Sequence, residues 1–478
     1  MSTDDRSSVQ LIQGNGGLAT DIVGGKAAAI DRMMALGLRV PPAFVLTTEV
    51  CRRYFAEDCC VPPDVWEQVV DFVHRLEEVT GRIFGGCDKP LLVSVRSGAA
   101  VSMPGMMDTV LNVGIAESST AGSIFETDIR RRLVEQFDRV VGRALPENPW
   151  EQLRLAVGAV FESWTSHRAV VYRRNRNIPD SIGTAVVVQA MVFGNLDEHS
   201  GTGVMFTRDP QTGQADVYGE WLPRGQGEEV VSGRVGGQPL IELSVALPEV
   251  HRELMTAAAM LERHGRDVQD IEFTVESGKL WLLQTRAATR SPEAAIRHAV
   301  AMVREGLIDR DEALTRVKPE HIDAFLRPRI DPASARYAPL LAQGKPASPG
   351  IGVGVIVVDV EAAEVAVSDV VLATPSTNPD DVPAMTMANA VVTEHGGVTS
   401  HAAVVCREMA VPCVVGCGTG TVTALAGRLV TVDGYTGAVY EGALPILAQG
   451  GLGDPDVAAL AEWARGQSDS RSHKLSTA

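Results

Sequence analysis

The 478-residue sequence predicts a mixed α/β (α+β) chain with two folded units in succession. Three observations carry this. Helical periods and β-rich runs follow one another through the first two-thirds of the chain. The segment FLRPRIDPASARYAPL (325–340) is punctuated by prolines and reads as a linker. Beyond it, GKPASPGIGVG (344–354) opens a second α/β pattern that runs to about Gly442. At roughly 150 residues per domain the length allows about three compact units.

In order along the chain, GGKAAAIDRMMALGL (24–38) places apolar residues at helical spacing after a glycine pair, and VPPAFVLTT follows as an extended run. Residues 63–80 form an amphipathic helix opened by prolines. PLLVSVRSGAA (90–100) is β-rich and breaks into a small-residue loop, and 122–172 is helical around a break at GRALPENPWEQ. From 181 to 235 the runs GTAVVVQAMV, GTGVMFTRDPQTG and ADVYGEWLP read as strands, each closed by a Gly/Pro/Asp turn. Residues 269–286 are two alternating runs about Glu276-Ser277-Gly278-Lys279, a hairpin signal. Helices at 291–305 and 309–317 lead to the linker. The tail offers one short helix, 457–465, and then a polar stretch expected to be disordered.

Composition narrows the function. Lys plus Arg is 43 and Asp plus Glu is 60, a formal charge of −17, which argues against nucleic acid or an anionic membrane as the main partner. An anionic substrate must then be held by a local cluster of positive groups. The seven cysteines contain no C-x-x-C pair and read as reduced thiols, not as a disulfide frame or zinc site. MSTDDRSSVQ has no secretory pattern and no apolar run approaches the ~20 residues of a membrane span, so a cytoplasmic protein is expected.

VTEHGGVTSHAAVVCREMAVPCVVG (392–416) carries the chemistry. A Gly-Gly loop leads through Thr399 and Ser400 into a short helix with His401 at its N-terminus, where orphan N–H groups and the positive end of the dipole would stabilise a phosphoryl group on the imidazole. From spacing alone a capping histidine is an equal alternative. A metal pair with His395 is disfavoured, because a spacing of six fits neither helix nor strand ligand geometry.

This motif resembles that of the PEP-utilising phosphotransferases, among them the pyruvate phosphate dikinases. GGKAAAIDRMMALGLRVPPAF, PLLVSVRSGAAVSMPGMMDTVLNVG, GTGVMFTRDPQTG, YGEWLPRGQGEEVVSG and QDIEFTVESGKLWLLQTR resemble successive dikinase segments in the same order, so the likeness extends from about Gly14 to about Gly442. It implies an ATP-grasp-like nucleotide-binding domain at 1–325, a linker at 326–343, a swivelling β/β/α phosphohistidine domain at 344–445 and a partly disordered tail at 446–478.

The resemblance also assigns roles. Lys26 matches a lysine on the ATP phosphates, suited to a flexible ammonium beside a glycine turn, though a solvated lysine at a helix start would look the same. Arg96, at the end of LLVSVRS, matches a phosphate-gripping arginine, with an ordinary ion pair as the alternative. Glu272, Gln284 and Arg286 match positions that bind Mg²⁺ and nucleotide phosphates, Glu272 and Gln284 being the metal ligands; a plain polar sheet face is the other reading. Arg208 is a weaker phosphate candidate, and Gln226-Gly227-Glu228 looks like a loop of the nucleotide cleft. The loop 97–109 would cover the ATP phosphates, while Met103, Met106 and Met107 carry no catalytic assignment.

The hairpin makes a geometric demand. Gln284 and Arg286, two apart, share a strand face. For Glu272 to join them, residues 272 and 284 must be cross-strand partners, which predicts a three-residue loop Ser277-Gly278-Lys279 or a bulge.

The implied reaction uses Mg²⁺, ATP and orthophosphate to phosphorylate His401, releasing AMP and pyrophosphate, and passes the group to pyruvate or another acceptor on a separate protein. The alternative is a regulatory phosphocarrier or ATP-sensing module. Thr399 matches a threonine that regulatory kinases modify. The sequence departs from the family in three respects. It has no residues matching the C-terminal PEP/pyruvate barrel, it is shorter around 114–143, and His395 stands where an arginine is usual.

Overall fold

In a computed structural model of the chain, residues 8–476 are described except 88–89, 104, 117–123, 228, 230–235, 326–328, 365–368 and 448–453. The chain is mixed α/β. It divides into two compact units, the first made of Met1–Thr202, Pro223–Gln226 and Glu272–Thr285, the second of Gly203–Leu222, Gly227–Ile271 and Arg286–Ala478. Among the described residues no helix is long and apolar enough to cross a membrane.

In the first unit, strands β1 (Val9–Leu11), β2 (Ala43–Leu46), β3 (Val93–Gly98), β4 (Thr109–Val113) and β5 (Ala185–Ala190) form an antiparallel sheet in the order β1-β2-β5-β3-β4. Helices α1 (Thr20–Ala35), α2 (Pro63–Thr80), α3 (Ile124–Val141) and α4 (Pro149–Glu162) accompany it. The α2 bounds are those read from the sequence. Its buried residues Val65, Val69, Val73 and Leu76 recur every three or four positions, which buries one stripe. They join one core with Phe44, Val93, Leu133, Phe161 and Val188. The break before α4 is an Asn148 cap whose side chain accepts from the Trp150 N–H at 2.9 Å, followed by proline at the first helical position.

A second sheet has the order β10-β9-β6-β7-β8, from β6 (Gly201–Phe206), β7 (Tyr218–Pro223), β8 (Gln238–Pro239), β9 (Gln269–Glu276) and β10 (Lys279–Ala287). The turn between β9 and β10 is the two-residue Ser277-Gly278, with φ of 48° and 73°, the type I′ pattern. The predicted three-residue loop is not formed, because Lys279 already belongs to β10.

In the second unit, α5 (Pro292–Arg304) starts at Ser291, whose hydroxyl accepts from the Ala294 N–H at 3.0 Å. Within the expected linker, β11 (Arg329–Ile330) pairs with β20 (Ile446–Leu447). β12 (Leu340–Gln343) then becomes the edge of an eight-stranded sheet, followed by β13 (Lys345–Ser348), β14 (Ile351–Val357), β15 (Val370–Thr374), β16 (Ala390–Thr393), β17 (Cys413–Val415), β18 (Leu429–Asp433) and β19 (Ala438–Glu441). The order is β12-β19-β18-β14-β15-β16-β17-β13, with β14 to β17 parallel and the other pairs antiparallel. Val371, Ala373, Val392, Val414 and Val432 fill its core. Helix α6 (His401–Met409) lies between β16 and β17 in sequence. The C-terminal helix α7 (Pro455–Ser476) continues past the expected end at 465: the following residues are polar, but polar residues do not by themselves end a helix.

Candidate active site

In the first unit, backbone contact fixes the start of α1. Gly24 has φ 76° and ψ 163° and interrupts the helix. A Cβ there would lie 1.6 Å from the Gly98 carbonyl oxygen, so only glycine lets the segment approach the loop after β3. The Gly25 N–H donates to Ala99 O at 3.0 Å. One residue later Lys26 points its ammonium at the same loop and donates to Ser97 O at 2.6 Å. Lys26 is thus the second residue past the helix kink at Gly24, with its charge at the C-terminal end of β3.

Arg96 lies on β3 beside that loop. Its Nη2 donates to Glu272 Oε2 and to Gln284 Oε1, each at 3.0 Å. Gln284 Nε2 in turn donates to Glu272 Oε1 at 3.4 Å. The structure therefore brings together three of the residues singled out by sequence, and Glu272 and Gln284 share a face as the site requires. The Ala288 N–H donates to Val268 O at 2.8 Å, nine residues on from Lys279 against eight back from Glu276, so the β10 side accommodates one residue more than the β9 side. The compensation lies within the strand, as a bulge does, and not in the turn.

Two carboxamide and carboxylate side chains do not make a complete metal cage. Among the described residues no group of three or more His, Cys, Asp or Glu side chains is placed to hold a metal. Two oxygen-bearing side chains do suit Mg²⁺ that arrives on phosphate oxygens, since this ion retains water and substrate ligands.

The loop 97–109 is anchored by a residue that the sequence did not single out. Arg168, on a helix at His167–Asn175, donates to Met106 O at 3.1 Å and to Asp108 Oδ1 at 2.5 Å. Met106 is buried, in keeping with a packing role. The Arg168 signal was weak because 60 residues separate it from Asp108.

The remaining cleft candidates belong to the second unit. Arg286 pairs with the buried Asp270 at 2.8 Å. Arg208 is buried and donates to both oxygens of Glu262 and of Glu305 at 2.6–3.1 Å. These bonds raise the Arg208 pKa, and the guanidinium holds the Glu305 carboxyl below its ordinary range. Its donors are thus engaged by carboxylates. Glu228 lies outside the described residues.

Also in the second unit, β15 and β16 are parallel neighbours, and the loops after their C-terminal ends converge on His401. Thr377 Oγ1, from the loop after β15, is 3.3 Å from His401 Nδ1. Ser400 caps α6 in backbone geometry, and its N–H donates to Gly397 O at 3.0 Å. Behind the loop, the buried Arg407 donates through Nη1 to Ala347 O at 2.8 Å and Val398 O at 2.9 Å, tying 396–400 to β13. Burial pushes the Arg407 pKa down. Glu220, on β7, accepts from Lys345 Nζ at 3.2 Å and lies against Gly397, where a Cβ would come within 2.5 Å of its carboxylate. His395 is exposed, and its N–H donates to Pro375 O. Thr377 carries no local signal in sequence; its placement at the C-terminal end of a parallel strand is the available clue.

Comparison with known proteins identifies the family. The pyruvate phosphate dikinase AMP/ATP-binding domain matches residues 56–242 and 242–307, and the PEP-utilising enzyme mobile domain matches 366–437. The chain is 39% identical to pyruvate, phosphate dikinase of Rhizobium meliloti (strain 1021), over 93% of this chain and 58% of that protein. Against the Clostridium symbiosum enzyme of the same name the identity is 37%, over 88% and 56%. Against pyruvate, phosphate dikinase 2 of Zea mays it is 39%, over 89% and 56%. The chain matches a little over half the length of each of these relatives. With its nucleotide-binding and mobile regions both matched, the chain belongs to the pyruvate phosphate dikinase family.

Proposed function

We propose that this chain transfers a phosphoryl group from ATP to His401 and then to an acceptor, pyruvate or another, bound on a separate protein. The observation that carries the reading is the pairing of two sites in one chain of this family: Lys26 and the Arg96–Glu272–Gln284 cluster in one unit, and a histidine at the N-terminus of α6 in the other.

Lys26, Arg96 and Arg286 would hold the ATP phosphates, with Arg208 a secondary candidate. Glu272 and Gln284 would hold Mg²⁺, which offsets charge on the phosphates when bound. Thr377, whose hydroxyl lies 3.3 Å from His401 Nδ1, would hold that nitrogen protonated when it accepts from Nδ1–H, leaving the Nε2 lone pair as the nucleophile. Nε2 attacks the β-phosphorus: an N–P bond forms, the P–O bond to the α-phosphate breaks, and AMP leaves with that electron pair. An orthophosphate oxygen then attacks the γ-phosphorus. The β–γ bridging bond breaks with its electrons left on the β-phosphoryl group, pyrophosphate departs carrying the orthophosphate hydrogen, and phosphohistidine remains. Lys26 and the arginines stabilise charge on the transferring group, the dominant contribution in such chemistry. Thr399 would serve as a regulatory phosphorylation site, where a second phosphate repels the one on His401.

The test is product analysis. Protein given Mg²⁺ and ATP should release AMP in an amount matched to the label on His401, and pyrophosphate should appear only when orthophosphate is added. ADP as the sole nucleotide product would refute the reading. Chasing the phosphorylated protein with pyruvate alone should leave it phosphorylated; formation of phosphoenolpyruvate without a second protein would refute the separate acceptor.

A further inference from the structure

The residues flanking His401 carry an anomaly. Serine at a helix N-cap normally accepts a hydrogen bond from an N–H of the first turn. Ser400 occupies that position with φ −65° and ψ 163°, yet its side chain makes no capping bond to α6. Its hydroxyl oxygen is buried and has no hydrogen-bond partner among the described residues, and the same holds for the hydroxyl of Thr399. The two residues are 4% and 5% exposed. Buried hydroxyls are ordinarily satisfied, so two adjacent exceptions call for a partner that comes and goes.

The surroundings fix the backbone that carries both hydroxyls. Arg407 fixes the Val398 carbonyl, the Ser400 N–H is held by Gly397 O, and Gly396, at φ 121°, leaves open the space next to the Ser400 hydroxyl, where a Cβ would come within 3.1 Å. The nine-residue helix α6 presents its positive end at the same point.

We propose that Thr399 and Ser400 hydroxyls, with the uncapped first turn of α6, form an oxyanion cradle that donates hydrogen bonds to the phosphoryl oxygens on His401. The proposal rests on the phosphohistidine reading given above and adds the groups that receive the charge. The oxygens of the group arriving on His401 need donors, and buried, unsatisfied hydroxyls on the two preceding residues would supply them with little reorganisation. The uncapped N–H groups stay available because Ser400 does not occupy them. A phosphate on Thr399 would remove one donor of the cradle as well as add charge.

The test compares wild type with Ser400→Ala, Ser400→Thr and Thr399→Val, measuring incorporation of label from ATP labelled at the β-phosphate and, separately, phosphorylation of His401 by phosphoramidate, which bypasses the nucleotide site. Ser400→Ala should lower the rate with either donor by about 10²-fold, the loss typical of one oxyanion donor. Its ATP affinity and melting temperature should match wild type. Ser400→Thr, which keeps a hydroxyl, should recover most of the rate, and serves if Ser400→Ala fails to fold; Thr399→Val should be slowed. Wild-type rates in Ser400→Ala and Thr399→Val with phosphoramidate would overturn the cradle whatever ATP does. Wild type that accepts phosphoryl from phosphoramidate but never from ATP would refute the ATP-dependent reading and leave the cradle judged on the first donor alone.

Discussion

Replacing Gly24 with alanine separates the role of Lys26 from that of the helix carrying it. At φ 76° and ψ 163° the backbone is in a region that is almost exclusive to glycine, where a side chain adds roughly 1–3 kcal/mol of strain. The new Cβ would sit 1.6 Å from Gly98 O, a backbone atom that cannot rotate away, so α1 and the loop after β3 must part by more than an ångström. Such overpacking costs a further 1–3 kcal/mol or so, giving a total of about 2–6 kcal/mol. The same displacement pulls the Lys26 ammonium from its place at Ser97 O. Loss of one charge-assisted contact, ~1.5–3 kcal/mol, would weaken Mg-ATP binding by about 10- to 100-fold. The neighbouring substitution Gly25→Ala is the internal control, because its Cβ would meet nothing closer than 3.5 Å. Calorimetric titration with ATP and thermal melting of both variants read the two effects. Gly24→Ala with wild-type melting and wild-type ATP affinity would refute the reasoning. So would equal damage in Gly25→Ala.

Two further outcomes follow from the second unit. Arg208→Met leaves Glu262 and Glu305 without their shared guanidinium, and with Glu305 partly exposed the loss should be about 2–4 kcal/mol, below the full value for breaking a buried pair, seen as earlier melting. Wild-type melting combined with weakened ATP binding would mark Arg208 as a phosphate ligand instead. His298 is fully buried, and burial, followed by Arg290 and Arg208, lowers its pKa to about 3. The unfolded chain therefore takes up the proton first. The stabilising contribution is complete above pH 6.5 and erodes as pH falls toward 3, by about 2 kcal/mol at pH 5. Denaturant unfolding at pH 7.5 and pH 5 should show His298→Leu losing less stability than wild type across this interval; parallel losses would contradict the assignment.

Local physics was legible in the sequence, and long-range pairing was not. Helix α2 could be bounded to the residue because its apolar stripe and opening prolines act within a few positions. His401 could be placed at a helix start because a Gly-Gly loop and an amphipathic run adjoin it. That Glu272 and Gln284 share a face followed from the roles that the family resemblance assigns them, yet the turn does not supply the offset: Ser277 and Gly278 form the common two-residue loop, and the extra residue sits farther along β10. Arg208 shows the opposite limit. Its partners are 54 and 97 residues away, and nothing near TRDP announces two glutamates. Thr377 was hidden for the same reason, since only the parallel pairing of β15 and β16 brings its loop to the histidine. The unsatisfied Ser400 hydroxyl is a property of three-dimensional packing and leaves no trace in the motif.

The most direct test of the central claim is to incubate the protein with Mg²⁺, orthophosphate and ATP labelled at the β-phosphate, beside His401→Ala. Acid-labile label on the wild-type protein, AMP in equal amount and no label on the variant are the predicted result. An unlabelled wild type that nonetheless binds ATP, or equal labelling of His401→Ala, would contradict a phosphoryl carrier at His401.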